Sequence, residues 1–133
     1  MLLRLTLGGK LRQGIKMQAD VRQMLKLCHV DTHYGPIQVL RDVNVEINVG
    51  EITCLLGGNA SGKSTTLRTI MGMVKPTSGT IEFDGERIDG LSIQQLVKRG
   101  ISMVPENRRI FGRMTVRENL EMGSFLRNDR SGI

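Results

Sequence analysis

Apolar and polar positions first fall into a regular order at Met24. Met24-Leu25-Lys26-Leu27-Cys28-His29-Val30 reads as a strand, and a turn is expected over Asp31 to Pro36. Ile37 to Leu40 is extended, and Val43-Asn44-Val45-Glu46-Ile47-Asn48-Val49 alternates with the period of a half-buried strand. After a turn at Gly50, Ile52-Thr53-Cys54-Leu55-Leu56 is nearly all apolar, the pattern of a strand covered on both faces. A helix is expected from Lys63 to about Met71, with Gly72 at its end. Pro76 to Gly79 turns the chain into a strand at Thr80-Ile81-Glu82-Phe83, and Asp84-Gly85 makes the next tight turn. Ser92 caps a short helix through Lys98, closed by Gly100. Ile101 to Val104 reads as a strand halted by Pro105. Thr115 with Glu118 three residues on is a capping box for a last helix through about Phe125. Strands, glycine-rich loop, helix, strand, helix, strand and helix in that order predict an α/β fold with a β-rich front portion.

Composition adds limits. The chain has 133 residues, enough for one domain with a modest core; aromatics are 3% and Trp is absent, so that core must be aliphatic. The net charge of +6 is concentrated at the front, where Arg4, Lys10, Arg12, Lys16 and Arg22 face only Asp20. Residues 1–23 show no sustained period and are broken at Gly8-Gly9 and Gly14, so they are expected to form a poorly ordered extension before a domain spanning 24–133. Met24 serves equally as an alternative start or as an ordinary strand methionine. A nucleic-acid binder carries its basic face on the folded domain, so no nucleic-acid partner is expected. No apolar run is long enough to cross a bilayer, and the start is too short and too broken by Arg4 for a secretory signal. Cys28 and Cys54 both fall in expected strands and read as small buried thiols in a reducing compartment. Cys28, His29 and His33 lie close together, but no fourth ligand stands at a zinc-finger spacing.

The chemistry is concentrated in Gly57-Gly58-Asn59-Ala60-Ser61-Gly62-Lys63-Ser64, which meets the P-loop pattern G-x-x-x-x-G-K-[ST]. Glycines let successive N–H groups turn inward as an anion nest, and the helix N-terminus that follows favours negative charge. Lys63 offers a point charge to β- and γ-phosphates, the Ser64 hydroxyl can ligate Mg²⁺, and Thr65 can reach the α-phosphate. An apolar segment before the loop and a helix-forming one after it supply the context that makes the pattern specific.

Residues on both sides of the loop resemble an ABC-type ATPase domain. Tyr34, in His33-Tyr34-Gly35, stands where that family places an aromatic that stacks on adenine; the alternative for a Tyr there is to cover the core at a strand end. Lys75-Pro76-Thr77-Ser78-Gly79-Thr80-Ile81 is similar to the family's turn into a strand, and Gly100 to Glu106 occupies the place of its strand and Q-loop, with Glu106 where most members have Gln. The run Val104-Pro105-Glu106-Asn107-Arg108-Arg109-Ile110-Phe111, then Met114 to Gly123, resembles the ATPases of branched-chain amino acid importers, with Asn107 where a Gly is more usual. The resemblance implies ATP and Mg²⁺ as cofactors, Lys63 and Glu106 as catalytic residues, and Ser64 and Glu106 as metal ligands. It further implies a second ATPase subunit and transmembrane permease subunits as partners. The protein would sit peripherally on the cytoplasmic face of the plasma membrane, held by those partners and not by lipid. Arg108 and Arg109 are read as solvated or partner-facing.

Three features of such ATPases have no counterpart in these 133 residues: a Leu-Ser-Gly-Gly-Gln-type segment, a strand ending in Asp-Glu, and a His after His33. Phosphoryl transfer needs a positioned water as well as a cradle. The expectation is therefore an importer ATPase by family, with a truncated, non-catalytic nucleotide-binding fragment as the alternative. A DNA-repair ATPase of the same type fits less well, since neither the charge nor the run after Pro105 supports it. Without a strand beside the P-loop strand, the isolated chain is expected to be marginally stable or prone to aggregate.

Overall fold

The computed structural model describes residues 22–106 and 109–125. The expected features in 1–21, together with Asn107, Arg108 and residues 126–133, lie outside the described residues. The elements are β1 (Gln23–Tyr34), β2 (Ile37–Asn48), α1 (Lys63–Ile70), β3 (Ser78–Phe83), β4 (Glu86–Arg87), α2 (Ile93–Lys98) and α3 (Val116–Gly123). The four strands form one antiparallel sheet in the order β2-β1-β3-β4.

Two long strands replace the expected turn at Asp31. β1 continues to Tyr34, the reversal is confined to Gly35-Pro36, and β2 is unbroken from Ile37. The chain crosses Asp31 by changing parity. Leu25 and Leu27 face the core, and beyond His29 the buried positions become Val30 and Thr32. A strand's faces alternate strictly, so one extra residue must be absorbed. His29, at φ 50°, absorbs it, and the pairing with β2 shifts register between Leu27 and Val30. The Asn44 side chain closes the bulge by accepting from the His29 N–H at 2.9 Å. Asp31 becomes a bracket: its carboxylate accepts from the Asp42 N–H and the Ser78 hydroxyl, each at 2.7 Å.

Leu25, Leu27, Val30, Val45, Ile81, Ile88 and Leu96 form the core, with α2 presenting Leu96 to the sheet. The core is aliphatic, as the composition requires. The expected capping box of Thr115 with Glu118 is present on α3, and the expected Ser92 cap on α2 forms a capping box with Gln95. The sheet also reaches into the expected extension. Gln23 opens β1, the Arg22 guanidinium grips both Asp84 carboxylate oxygens, and Val49 N–H donates to Arg22 O. Met24 lies within β1 and its carbonyl accepts from Asp84 N–H.

Two expected strands are not formed. Ile52 to Leu56 and Ile101 to Val104 have no ladder partner among the described residues, and Ile52 is 96% and Val104 94% exposed. Their apolar composition suits a covered strand, but a strand exists only through its neighbour. Cys54 is consequently exposed instead of buried, and Cys28 is half-buried in β1.

Acid should loosen this sheet at Asp31. The Asp42 N–H, and after it the Ser78 hydroxyl, hold the Asp31 carboxyl below its ordinary value. A lowered native pKa gives stabilisation that is complete above the ordinary carboxylate value of about 3.9 and is lost as pH falls through the native value. The Asp31→Asn variant should therefore show a flatter loss of thermal midpoint than the parent between neutral and strongly acid pH. Parallel curves would count against this role.

Candidate functional site

The loop from Gly57 to Gly62 leads directly into α1. At two of its glycines a Cβ would crowd a neighbouring side chain. A Cβ on Gly57 would lie 2.5 Å from Ser61 Oγ. Gly62 has φ 90°, and a Cβ there would lie 2.8 Å from Leu40 Cδ2 and 3.5 Å from Val39 O. Between them Ala60 is also held at positive φ, 61°. Gly58, Asn59, Ala60 and Ser61 are exposed. Of the loop N–H groups from Gly57 to Gly62, Ser61 donates to Gly58 O at 3.4 Å, and the others make no backbone hydrogen bond among the described residues. Gly62 caps α1 without a side chain, and no acid stands in the first turn. The positive end of the helix and the free donors are thus open to an anion.

Lys63 folds back over this loop. Its ammonium donates to Gly57 O at 2.8 Å, Gly58 O at 2.6 Å and Ser61 Oγ at 3.5 Å. Ser64, next along α1, donates to Glu106 Oε1 at 3.1 Å. These are the two residues expected to share a metal, 42 positions apart in sequence, and the fold brings them into contact. Two adjacent oxygens on an octahedral Mg²⁺ at 2.0–2.1 Å would be separated by about 2.9 Å. The pair is hydrogen-bonded at a distance close to that, and both atoms are hard oxygens.

Tyr34 ends β1 opposite Ile37 and is 39% exposed. It stands on the same hairpin as Val39 and Leu40, which pack at Gly62. Thr65 is buried on α1, with its carbonyl accepting from Thr69 Oγ1 at 2.8 Å. Here the structure adds what the sequence reading missed. The hidden face of α1 is threonine: Thr66 Oγ1 donates to Gly62 O at 3.0 Å, and Thr69 Oγ1 meets Thr32 Oγ1 of β1 at 3.3 Å. Thr65, Thr66 and Thr69 stand at helical spacing, which was the available signal. The hydroxyls tie the helix that carries Lys63 and Ser64 to the bulged strand. Arg68 and Arg109 line the same cleft as Ser64 and Glu106, with Leu67, Met73 and Met103 on its walls. Among the described residues no group of three metal-ligating side chains occurs, which includes the Cys28, His29 and His33 neighbourhood. No helix there is long and apolar enough to cross a membrane.

A glycine-rich loop opening a helix, with a lysine over the loop and a hydroxyl–carboxylate pair beside it, has the form of the P-loop class. Comparison with known proteins narrows this. The ABC transporter family model matches residues 40–132. The chain is 48% identical over 102 residues to the high-affinity branched-chain amino acid transport ATP-binding protein BraG of Pseudomonas aeruginosa, covering 77% of this chain and 44% of that protein. It is 42% identical over 89 residues to the nitrate import ATP-binding protein NrtD of a Synechocystis species, covering 67% of this chain and 31% of the other. Among solved structures, the dimeric structure of the bacterial ABC transporter cassette MJ0796 superposes with a TM-score of 0.71 at 31% identity, over 82% of this chain and 51% of that one. The chain belongs to the ABC transporter family. Its fold is that of the front part of an α/β ATP-binding cassette, and it spans less than half the length of these curated relatives.

Proposed function

We propose that the chain is the nucleotide-binding front of an ABC importer's ATP-binding subunit. In the whole protein it would couple ATP hydrolysis to uptake of branched-chain amino acids or a related amide or amino acid solute. The Ser64–Glu106 contact carries this reading, because a hydroxyl and a carboxylate that could share a metal meet beside the glycine-rich loop. The loop N–H groups from Gly57 to Gly62 and the α1 terminus receive phosphate oxygens. Lys63 exchanges a loop contact, first the long one to Ser61 Oγ, for phosphate. Tyr34 would offer a face to the adenine ring, and Thr65 would reach the α-phosphate. Ser64 and Glu106 would hold Mg²⁺, which when bound neutralises phosphate charge. The similarity to BraG supports the solute class, and the likeness to a dimeric cassette supports a second ATPase subunit. Transmembrane permease subunits would hold the assembly at the cytoplasmic face of the inner membrane.

Binding without turnover by these 133 residues alone is the second reading. Glu106 is the single carboxylate among the described residues lining the cleft with Ser64, and it is committed to that hydroxyl. A second acid to polarise water is not among them. Lys63-dependent phosphate release by the purified chain would overturn this reading.

The metal site is tested by titrating Mg²⁺ against a fluorescent ATP analogue. Glu106→Gln keeps the shape but removes the charge of a hard ligand, and should weaken the Mg²⁺ dependence about tenfold or more. Mg²⁺ dependence equal to that of the parent would sink the assignment.

A further inference from the structure

Thr32 is a polar residue in an apolar row. The buried positions of β1 run Leu25, Leu27, Val30 and Thr32, and Thr32 is as fully buried as Val30. A valine has nearly the same shape and would fill that site without desolvating a hydroxyl. The side-chain partner of the hydroxyl is Thr69 Oγ1, at 3.3 Å. Thr69 commits its own hydrogen to Thr65 O at 2.8 Å, so Thr32 is the donor. Among the described residues this is the one hydrogen bond between α1 and the sheet.

Thr32 pairs across the ladder with Leu40, whose Cδ2 lies against Gly62. One cross-strand pair thus meets α1 twice, at its entry and at Thr69, about 10 Å further along the helix. Packing at Gly62 alone is a pivot. The bond at Thr69 stops the helix from swinging about it. Two residues beyond Thr32, on the same strand, stands Tyr34.

We infer that Thr32 is a positioning residue that sets the aim of the phosphate cradle toward Tyr34, so that the site favours a nucleotide over bare polyphosphate. The inference rests on the reading of Tyr34 as the adenine platform and of the glycine-rich loop as the cradle. A ligand held on two elements gains from both only while their spacing is fixed in advance. The internal bonds of the cradle, Thr66 Oγ1 to Gly62 O and Lys63 to the loop, do not involve β1. Losing the Thr32 hydroxyl should therefore spare phosphate binding and fall on the base.

The test titrates ATP and inorganic triphosphate into the full chain, each with Mg²⁺ in excess. Thr32→Val should lose about fivefold in ATP affinity, the size of one hydrogen bond, and keep triphosphate within about twofold. Its thermal midpoint should change little. Thr32→Ser restores the hydroxyl and should bind ATP within about twofold of the parent. Tyr34→Ala should lose about tenfold for ATP alone. If Thr32 acts through Tyr34, the double variant Thr32→Val with Tyr34→Ala should lose no more than Tyr34→Ala. A loss of triphosphate equal to that of ATP in Thr32→Val, or losses that multiply in the double variant, would reduce the contact to a helix prop and overturn the proposal. Parent-like ATP affinity in Thr32→Val with a loss in Tyr34→Ala would overturn it while the adenine platform stood. Parent-like ATP affinity in Tyr34→Ala would remove the platform and this inference together.

Discussion

Replacing Lys63 by alanine is expected to weaken ATP binding by between about tenfold and more than a hundredfold, with little change in thermal midpoint. A hydrogen bond to a charged group contributes about 1.5–3 kcal/mol, and every 1.4 kcal/mol is tenfold in affinity. Lys63 is the only cation whose contacts to the 57–62 loop are found among the described residues, through Gly57 O, Gly58 O and Ser61 Oγ. Those three oxygens are at the surface, so water takes over from the ammonium when it is removed and the fold loses little. Arginine should not rescue binding. Its planar fork cannot reproduce a compact ammonium reaching two adjacent carbonyls and a hydroxyl. Isothermal titration of ATP into the parent, Lys63→Ala and Lys63→Arg chains decides the matter. Parent-like affinity in Lys63→Ala would show that the loop is not the phosphate site.

The parts of this architecture governed by local rules were legible in the sequence. The glycine-rich loop needs backbone freedom and a lysine at fixed spacing, and both are written within eight residues. The capping box at Thr115 and Glu118 is equally local, and it formed. What failed depended on a neighbour. Asp31 looked like a turn former beside Gly35 and Pro36, but the Asp42 N–H and the Ser78 hydroxyl recruit it as a bracket inside a continuous strand. The parity change at His29 is invisible in a pattern of apolar letters, because Val30 fits either face. Ile52 to Leu56 and Ile101 to Val104 have strand composition, yet composition supplies no hydrogen-bonding partner. At the site, the resemblance gave Ser64 and Glu106 one shared role, and the fold supplied the 3.1 Å contact.

The site also depends on the bulge in a way that single elements do not reveal. Thr32 faces Thr69 only because the parity of β1 has changed at His29. Without the extra residue, position 32 would point to the other face and α1 would lose its hydroxyl tie to the sheet. The front sheet therefore does more than supply a core. Leu40 and Val39 of β2 set the entry of α1 at Gly62, and Thr32 of β1 holds the helix from its buried side.

That dependence makes Gly79→Ala the most damaging small substitution expected in the fold. Gly79 lies in β3 directly across from the bulge, at φ 84°. A Cβ there would lie 2.6 Å from the Cys28 carbonyl oxygen and closer still to that of His29. Both obstacles are backbone, so no rotamer change relieves them, and β1 and β3 must separate or the bulge must move. Gly85 provides the control. It too has positive φ, 78°, but a Cβ meets nothing within 4 Å. Gly85→Ala should cost only the conformational strain of a left-handed residue, about 1–2 kcal/mol. Gly79→Ala adds the clash and should cost about 3 kcal/mol or more, enough to lower the thermal midpoint by about 10 °C or more in a domain of this size. Because the bulge also aims Thr32 at Thr69, Gly79→Ala should weaken ATP binding below its own unfolding temperature, whereas Gly85→Ala should not. Thermal melts and ATP titrations on the two variants measure both effects. Equal destabilisation by the two would show that strain alone matters and that β3 does not clamp the bulge.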